Sequence, residues 1–478
     1  MYSLHFLAVL VTTVAVIHFS TSAPGRPQSN SVFWWQDVNK AKKEVSSTPA
    51  TTTAANVPVS RRPLRSSRRK PKPVSVGTAR PFPSFPSTKS PTRYVDLPQP
   101  LPKSMIKLVE SNNRFGFKLC NALIKYSGKK NIFISPMSLF GTLVTVYAAS
   151  SAETSEEMAN VLELGHQREE DVQNGFRDIL HNLMYENSKE NTLKLLNAMF
   201  VDNSINVSST FTDKVRTYYN GYLEKVGFAS EPEYVVQWAN QLVEWWTEGN
   251  IKKLLNNQLD PMTKLLLVNA IYFKGKWAEI FNPKHTTEYP FKNADGSVSK
   301  VKMMRLSSKF KTFCDNETLN TCAIELPYSG NHLSFVVLLP MKGGDLSTLN
   351  VILQPEAVNT LLNNLEERSL ELGLPKFSLN ANYNLHKPLE DMGMKSLFTP
   401  ESANLSKIGS NKELFVKEAK HKTVIDVSEE GTVAAGASYV VIGNRVSPPR
   451  LYVDHPFVFI IRDLRTNVNL FLGRVSSL

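Results

Sequence analysis

The residues that most constrain this chain lie in Val424–Phe457, which reads VIDVSEEGTVAAGASYVVIGNRVSPPRLYVDHPF. The stretch opens on apolar alternation, the period of a half-buried strand. It crosses two acids, Glu429 and Glu430, into a run of small or uncharged residues: Gly431, Thr432, Val433, Ala434, Ala435, Gly436, Ala437 and Ser438. It then carries a lone Arg445 and a Pro448-Pro449 pair, and ends in a very apolar segment. Small side chains enter a sheet without clashing, and without Pro every residue can donate to a ladder. Such a segment can be a loop in one state and a strand in another, so the rest of the fold must offer that strand a place.

Four further motifs occur in order with this one. They are Asn131-Ile132-Phe133-Ile134-Ser135-Pro136-Met137-Ser138, Leu267-Val268-Asn269-Ala270-Ile271-Tyr272-Phe273-Lys274-Gly275-Lys276-Trp277, Asp454-His455-Pro456-Phe457-Val458-Phe459 and Phe471-Leu472-Gly473-Arg474-Val475. Together with the hinge Glu429-Glu430-Gly431-Thr432 and Ala434-Ala435, they resemble the serpins over about three quarters of the chain. The resemblance implies an α+β serpin fold with three β-sheets, about nine helices and an exposed reactive-centre loop. It implies a non-enzymatic, single-use inhibitor of serine proteases that needs no cofactor or metal.

The resemblance also assigns residues. Ser135, Ser138, Asn269 and His421 match a buried hydrogen-bond cluster under the central sheet, and Trp277 packs at the top of that sheet. Glu429 through Ser438 match the hinge. Counted inclusively, Glu429 to Arg445 is seventeen residues, the family's inhibitory length, and counting back from Pro456-Phe457 also lands on Arg445–Val446 as the scissile bond. The alternating set Thr432, Ala434, Gly436 and Ser438 faces the interior if the loop becomes a strand, and all four are small. Val433 stands where the family usually has Glu; it falls on the other face. Arg445 selects a trypsin-like protease, whose pocket carboxylate takes the guanidinium in a charge-assisted contact. Gly443-Asn444-Arg445 is similar to activation sites of arthropod prophenoloxidase cascades, which points to clip-domain proteases and to clotting, melanisation or immunity. Two other readings stay open: a non-inhibitory carrier or storage serpin, and a polyanion-binding protein acting through a basic tail.

Enzymatic readings of the same residues are weaker. Ser135, Ser138 and His421 offer a nucleophile and a base, but there is no G-x-S-x-G turn, and Ser135 before Pro136 is placed to cap a helix. No His, Cys and carboxylate set has metal-ligand spacing, and neither a P-loop nor a dinucleotide fingerprint occurs.

The net charge of +12 is local. Residues 24–95 carry 14 basic and 2 acidic groups, which leaves the remainder with equal numbers of each. Arg61–Arg93 has ten basic residues and no acid, among Pro, Ser and Thr. Such a segment cannot bury enough apolar surface to offset its ordering entropy, so 24–102 is expected to be a disordered basic extension. Its Phe33-Trp34-Trp35 is an apolar exception suited to docking. Heparin-like polyanions are its expected ligands; nucleic acid is not, because residues 1–23 hold no Lys, Arg, Asp or Glu around an apolar Leu7–Ile17 and read as a secretory signal peptide. The expectation is therefore a secreted monomer, with a serpin domain at 103–478. Sequons at Asn206, Asn316 and Asn404 fit export. Of three cysteines, Cys314 and Cys322 flank a hairpin-like loop and can bridge or stay reduced, while Cys120 lies in a helical pattern and reads as a buried thiol.

Periodicity predicts helices over Ser104–Tyr126, from Pro136 to about Glu186, and over Phe211–Gly221, Glu233–Thr247, Ala357–Glu367 and Leu385–Met392. It predicts strands over Ile132–Phe133, Leu193–Phe200, Leu265–Phe273, Cys322–Leu326, Leu333–Leu339 and Leu370–Phe377, and two within Val453–Val475.

Overall fold

The structure, a computed structural model, describes residues 9–13, 100–184, 191–247, 253–255, 259–341, 346–409, 414–417, 419–430 and 448–478. Among these the chain forms nine α-helices and fifteen strands. The helices are Lys103–Ser127 (α1), Pro136–Ala149 (α2), Ala152–Val161 (α3), Glu169–Met184 (α4), Ser209–Tyr219 (α5), Pro232–Trp246 (α6), Leu346–Ile352 (α7), Pro355–Asn363 (α8) and His386–Met392 (α9). The strands begin with Val9–Thr13 (β1), Ile132–Ile134 (β2), Thr192–Asp202 (β3), Gly221–Val226 (β4), Leu265–Gly275 (β5), Thr287–Lys292 (β6), Val298–Asp315 (β7) and Thr321–Pro327 (β8). They continue with Leu333–Pro340 (β9), Glu366–Pro375 (β10), Phe377–Asn384 (β11), Lys420–Val427 (β12), Arg450–Tyr452 (β13), Phe457–Asp463 (β14) and Asn469–Val475 (β15).

One sheet has six strands in the order β11-β12-β1-β5-β3-β4. The other nine strands form one continuous ladder, β13-β10-β7-β8-β9-β14-β15-β2, with β6 on β7. That ladder is two sheets sharing a long strand. Val298–Met303 of β7 pair with β6, Met303–Thr312 pair with β10, and its last residues, Lys311–Asp315, pair with β8. The count is thus three sheets, as the resemblance implied.

Helix α1 buries Met105, Leu108, Val109, Asn112, Phe115, Leu119, Cys120 and Leu123, one face at three- and four-residue spacing. It crosses α2 closely: a Cβ added at Gly116 would lie 2.6 Å from Cγ of Pro136, so only glycine fits there. Helix α2 starts on Ser135, whose side chain accepts from the Ser138 amide, and Pro136 takes the first turn. It is buried almost all round, as a helix under a sheet must be. Between the sheets, Phe133, Phe335, Phe459 and Phe471 pack with ring centroids 5.0–5.9 Å apart. Each such ring contributes roughly 2–3 kcal/mol of burial.

Two sequence expectations shift. The helix expected over Ala357–Glu367 ends at Asn363, because Glu366 already pairs with Thr312 at the start of β10. The strand expected over Leu370–Phe377 is two strands: the chain breaks at Lys376 and enters the six-stranded sheet as β11.

Candidate functional site

The site is the slot between β5 and β12 in the six-stranded sheet, with the groups that latch it. Both strands run toward one end, where Gly275 and Val427 lead into Trp277 and Glu429. Trp277 is 2% exposed; its indole N–H donates to the Ser428 carbonyl at 2.9 Å, and its ring stacks on Tyr328 at 4.7 Å. Glu429 is held by three separate segments. Its carbonyl accepts from the Phe281 amide at 2.9 Å, its Oε1 from the Thr286 hydroxyl at 3.0 Å, and its Oε2 from the Lys376 ammonium at 2.8 Å. Burial works to raise the Glu429 pKa, but the Lys376 and Thr286 contacts outweigh it and hold the carboxyl below its ordinary value. The residue expected to start the hinge, Glu429, is therefore a charged anchor beside the ends of β5 and β12.

Below the slot lies a second cluster, buried under β5 and β12. The Ser135 hydroxyl donates to the Leu470 carbonyl at 2.7 Å, and the Ser135 amide donates to Nε2 of His421 at 3.2 Å. His421 is 2% exposed, and burial lowers its pKa to about 3, so the ring is neutral and carries its proton on Nδ1. The Ser138 hydroxyl bonds Oδ1 of Asn269. The Asn269 amide donates to Oδ1 of Asn197 at 2.7 Å, directly across the β3–β5 ladder, and the Asn197 amide donates to the Tyr219 carbonyl at 3.3 Å. The network thus has two arms that meet at the start of α2. One ties α2 to β5, β3 and the end of α5; the other ties it to β12. Shear between β5 and β12 must disturb it.

The structure brings Ser135, Ser138, Asn269 and His421 together, with His421 entering through the Ser135 amide. Sequence reasoning missed Asn197, Thr423 and Tyr383. Thr423, two residues beyond His421 on the same face of β12, donates to the Phe133 carbonyl at 2.5 Å, and Tyr383 accepts from the Phe133 amide at 3.0 Å. Period-2 reading from His421 could have found Thr423; nothing local marks the others. Trp277 and Glu429 fall at the latch, while Lys376, Thr286 and Tyr328 beside them carry no sequence signal. Glu430 follows Glu429 and is half-buried. Gly431–Ser438, Arg445 and Val446 lie outside the described residues, as do residues 14–99.

Away from the slot, Cys314 and Cys322 face each other across β7 and β8 and are joined by a disulfide with Cα atoms 4.0 Å apart. Cys120 is buried and free, its thiol pushed up to about 12 by burial. Asn206 and Asn316 are exposed; Asn404 is half-buried and its side-chain oxygen accepts from the Ser406 amide. Among the described residues no His, Cys, Asp and Glu group could hold a metal ion, and no helix is long and apolar enough to cross a membrane.

Residues 110–478 match the family model described as Serpin (serine protease inhibitor). The chain belongs to the serpin family. Among known serpins it is 35% identical over 379 residues to Iripin-2 of the tick Ixodes ricinus, covering 78% of this chain and 94% of that protein. It is equally 35% identical over 380 residues to Intracellular coagulation inhibitor 1 of Tachypleus tridentatus, covering 78% and 90%. Its fold superposes on the crystal structure of maspin with a TM-score of 0.73 at 28% identity, over 79% of this chain and all of that one. Serpins are for the most part protease inhibitors rather than enzymes, and the slot and latches described above belong to this serpin's central sheet.

Proposed function

We propose that this serpin is a secreted suicide inhibitor of trypsin-like serine proteases, cleaved at Arg445–Val446. The observation that carries the reading is a match of lengths and chemistry. A seventeen-residue, Pro-free segment from Glu429 to Arg445 leaves an anchored Glu429 at the mouth of a slot between two strands. The protease serine attacks the Arg445 carbonyl, the Arg445–Val446 bond breaks, and the Val446 amine leaves. Arg445 stays esterified to the protease. The freed loop then turns back into the slot, and about 14 residues at roughly 3.3 Å each carry the enzyme about 45 Å. The displaced enzyme loses its catalytic geometry before water reaches the ester. Small residues at Thr432, Ala434, Gly436 and Ser438 leave no bulky group to bury, which favours the inhibitory reading over the carrier reading.

Secretion rests on the charge-free residues 1–23, the three sequons and the disulfide, since such bonds persist in oxidising compartments. A proteolytic cascade is the setting suggested by Asn444-Arg445 and by the name of the Tachypleus relative. The ten cations of Arg61–Arg93 supply a salt-sensitive contact for heparin-like surfaces. Titration of trypsin with purified protein tests the proposal. An SDS-stable adduct with loss of trypsin activity supports it; clean cleavage with full activity retained favours a carrier.

A further inference from the structure

Strands β6, β7, β10 and β13 carry a row of side chains that loop insertion does not use. Tyr452 on β13 stands opposite Gly373 on β10, and Gly373 stands opposite Arg305 on β7. The Tyr452 ring lies over Gly373, where an added Cβ would come within 2.8 Å of it. The ring also meets Tyr289 of β6 edge-on, with centroids 5.1 Å apart, and the Arg305 guanidinium lies over it at 5.5 Å. Glu371, on the same face, bonds the Tyr452 hydroxyl and pairs with Arg450 at 3.5 Å. Arg305 has no carboxylate partner among the described residues. Its Nη2 donates to the Thr287 hydroxyl at 2.9 Å, and its buried Nε makes no hydrogen bond. Met304, Leu372 and Leu374 point the other way, into the core, so this face is the outward one.

Stacking fixes these side chains, so little rotamer entropy is left to lose when a partner binds. Tyr and Arg are also the residues that most often carry interface energy. Two guanidiniums share one carboxylate, so the face lacks negative charge. Position selects the occupant. Arg450 lies five positions after Arg445. At roughly 3.3 Å per residue, the two are within about 17 Å of each other however the chain runs between them. An ordinary interface covers about 800 Å² of each partner, a disc of about 16 Å radius. A protease that holds Arg445 in its pocket therefore reaches Arg450 and the Tyr452 ring beside it. We infer that this face docks the target protease, whose cleft rim sets carboxylates against Arg305 and Arg450. The inference rests on the proposed cleavage after Arg445 and narrows the target: a trypsin-like protease with an acidic rim is captured faster than one with a basic rim.

The test compares the wild-type protein with the double variant Arg305→Gln, Arg450→Gln, using cationic and anionic trypsin, which share a specificity pocket and differ in surface charge. Two readouts are taken: the rate of SDS-stable adduct formation, and the Kd for each trypsin in its inactive anhydro form. Both are read at about 50 mM and about 500 mM salt. The basic groups of residues 24–95 draw anionic trypsin to both proteins, so the comparison between the two proteins decides. The expected result is a preference for anionic trypsin that falls about tenfold in the variant at low salt, with the difference shrinking at high salt. The same preference in both proteins overturns the docking face and leaves the inhibitory reading intact. Tighter, arginine-dependent binding of anionic anhydrotrypsin with no adduct from either protein keeps the docking face and overturns the inhibitory reading. Arg450→Gln alone removes a side chain that is 67% exposed and leaves the stacked ring in place. Part of the preference must be lost there too, so an unchanged preference in that variant overturns the docking face even if the double variant fails to fold.

Discussion

Replacing Glu429 by Gln removes the charge that anchors the hinge. The wild-type carboxylate accepts from Lys376 at 2.8 Å and from Thr286 at 3.0 Å with its side chain only 11% exposed. An amide keeps one acceptor and turns a donor toward the ammonium or the hydroxyl, so about one charge-assisted bond is lost, worth about 2 kcal/mol. For a domain of about 370 residues with an unfolding entropy of ~2 cal/mol/K per residue, that lowers the melting temperature by about 2–3 °C. The pH dependence provides a second check. The folded pKa of Glu429 is depressed, so its contribution is present above the ordinary glutamate value near 4.5 and is lost as pH falls through the folded pKa. Calorimetric scans of both proteins at one scan rate should therefore differ at pH 7 and converge as the pH falls through the depressed folded pKa. A Gln variant that melts with the wild type at pH 7, or a gap that persists unchanged in acid, would show that Glu429 does not latch the slot.

Arg445→Ala should reduce adduct formation with trypsin by orders of magnitude and leave the melting temperature unchanged; adduct formation at the wild-type rate would place the scissile bond elsewhere. Thr432→Arg should turn the inhibitor into a substrate, since a long cation enters a sheet interior only at high desolvation cost; an unchanged inhibition stoichiometry would argue against insertion. His421 has a folded pKa of about 3 against 6.5 unfolded, so its stabilising contribution is complete above pH 6.5 and shrinks by ~1.4 kcal/mol per unit as pH falls below it. Between pH 7 and pH 5 the wild type should lose about 2 kcal/mol more stability than His421→Gln in denaturant titrations, and parallel pH profiles would contradict this assignment.

How much of this was legible in sequence depends on the range of the contact. Helices with a clear apolar face, such as α1 and α6, follow from periodicity within a few residues. Strands β6 and the first half of β7 do not, because they form an exposed hairpin whose outward positions include Lys300 and Lys302, so the apolar alternation is diluted. Strand β11 reads FSLNANYN, and its Asn residues suggest a turn; only pairing with β12 makes it a strand. The same holds for the site. Ser135, Ser138, Asn269 and Trp277 stand out because they sit in dense local motifs. Lys376, Thr286, Tyr383 and Asn197 join them across 53 to 250 positions of chain, and no local pattern encodes that.

Inhibition turns on whether the loop becomes a strand between β5 and β12. The most direct measurement is backbone hydrogen exchange along those two strands in protein lacking residues 1–23, before and after cleavage at Arg445. Insertion predicts that amides of Leu265–Gly275 and Lys420–Val427 facing the slot gain strong protection on cleavage, as the new strand completes both ladders. Unchanged exchange along both edges, in a chain verified to be cut after Arg445, would contradict it.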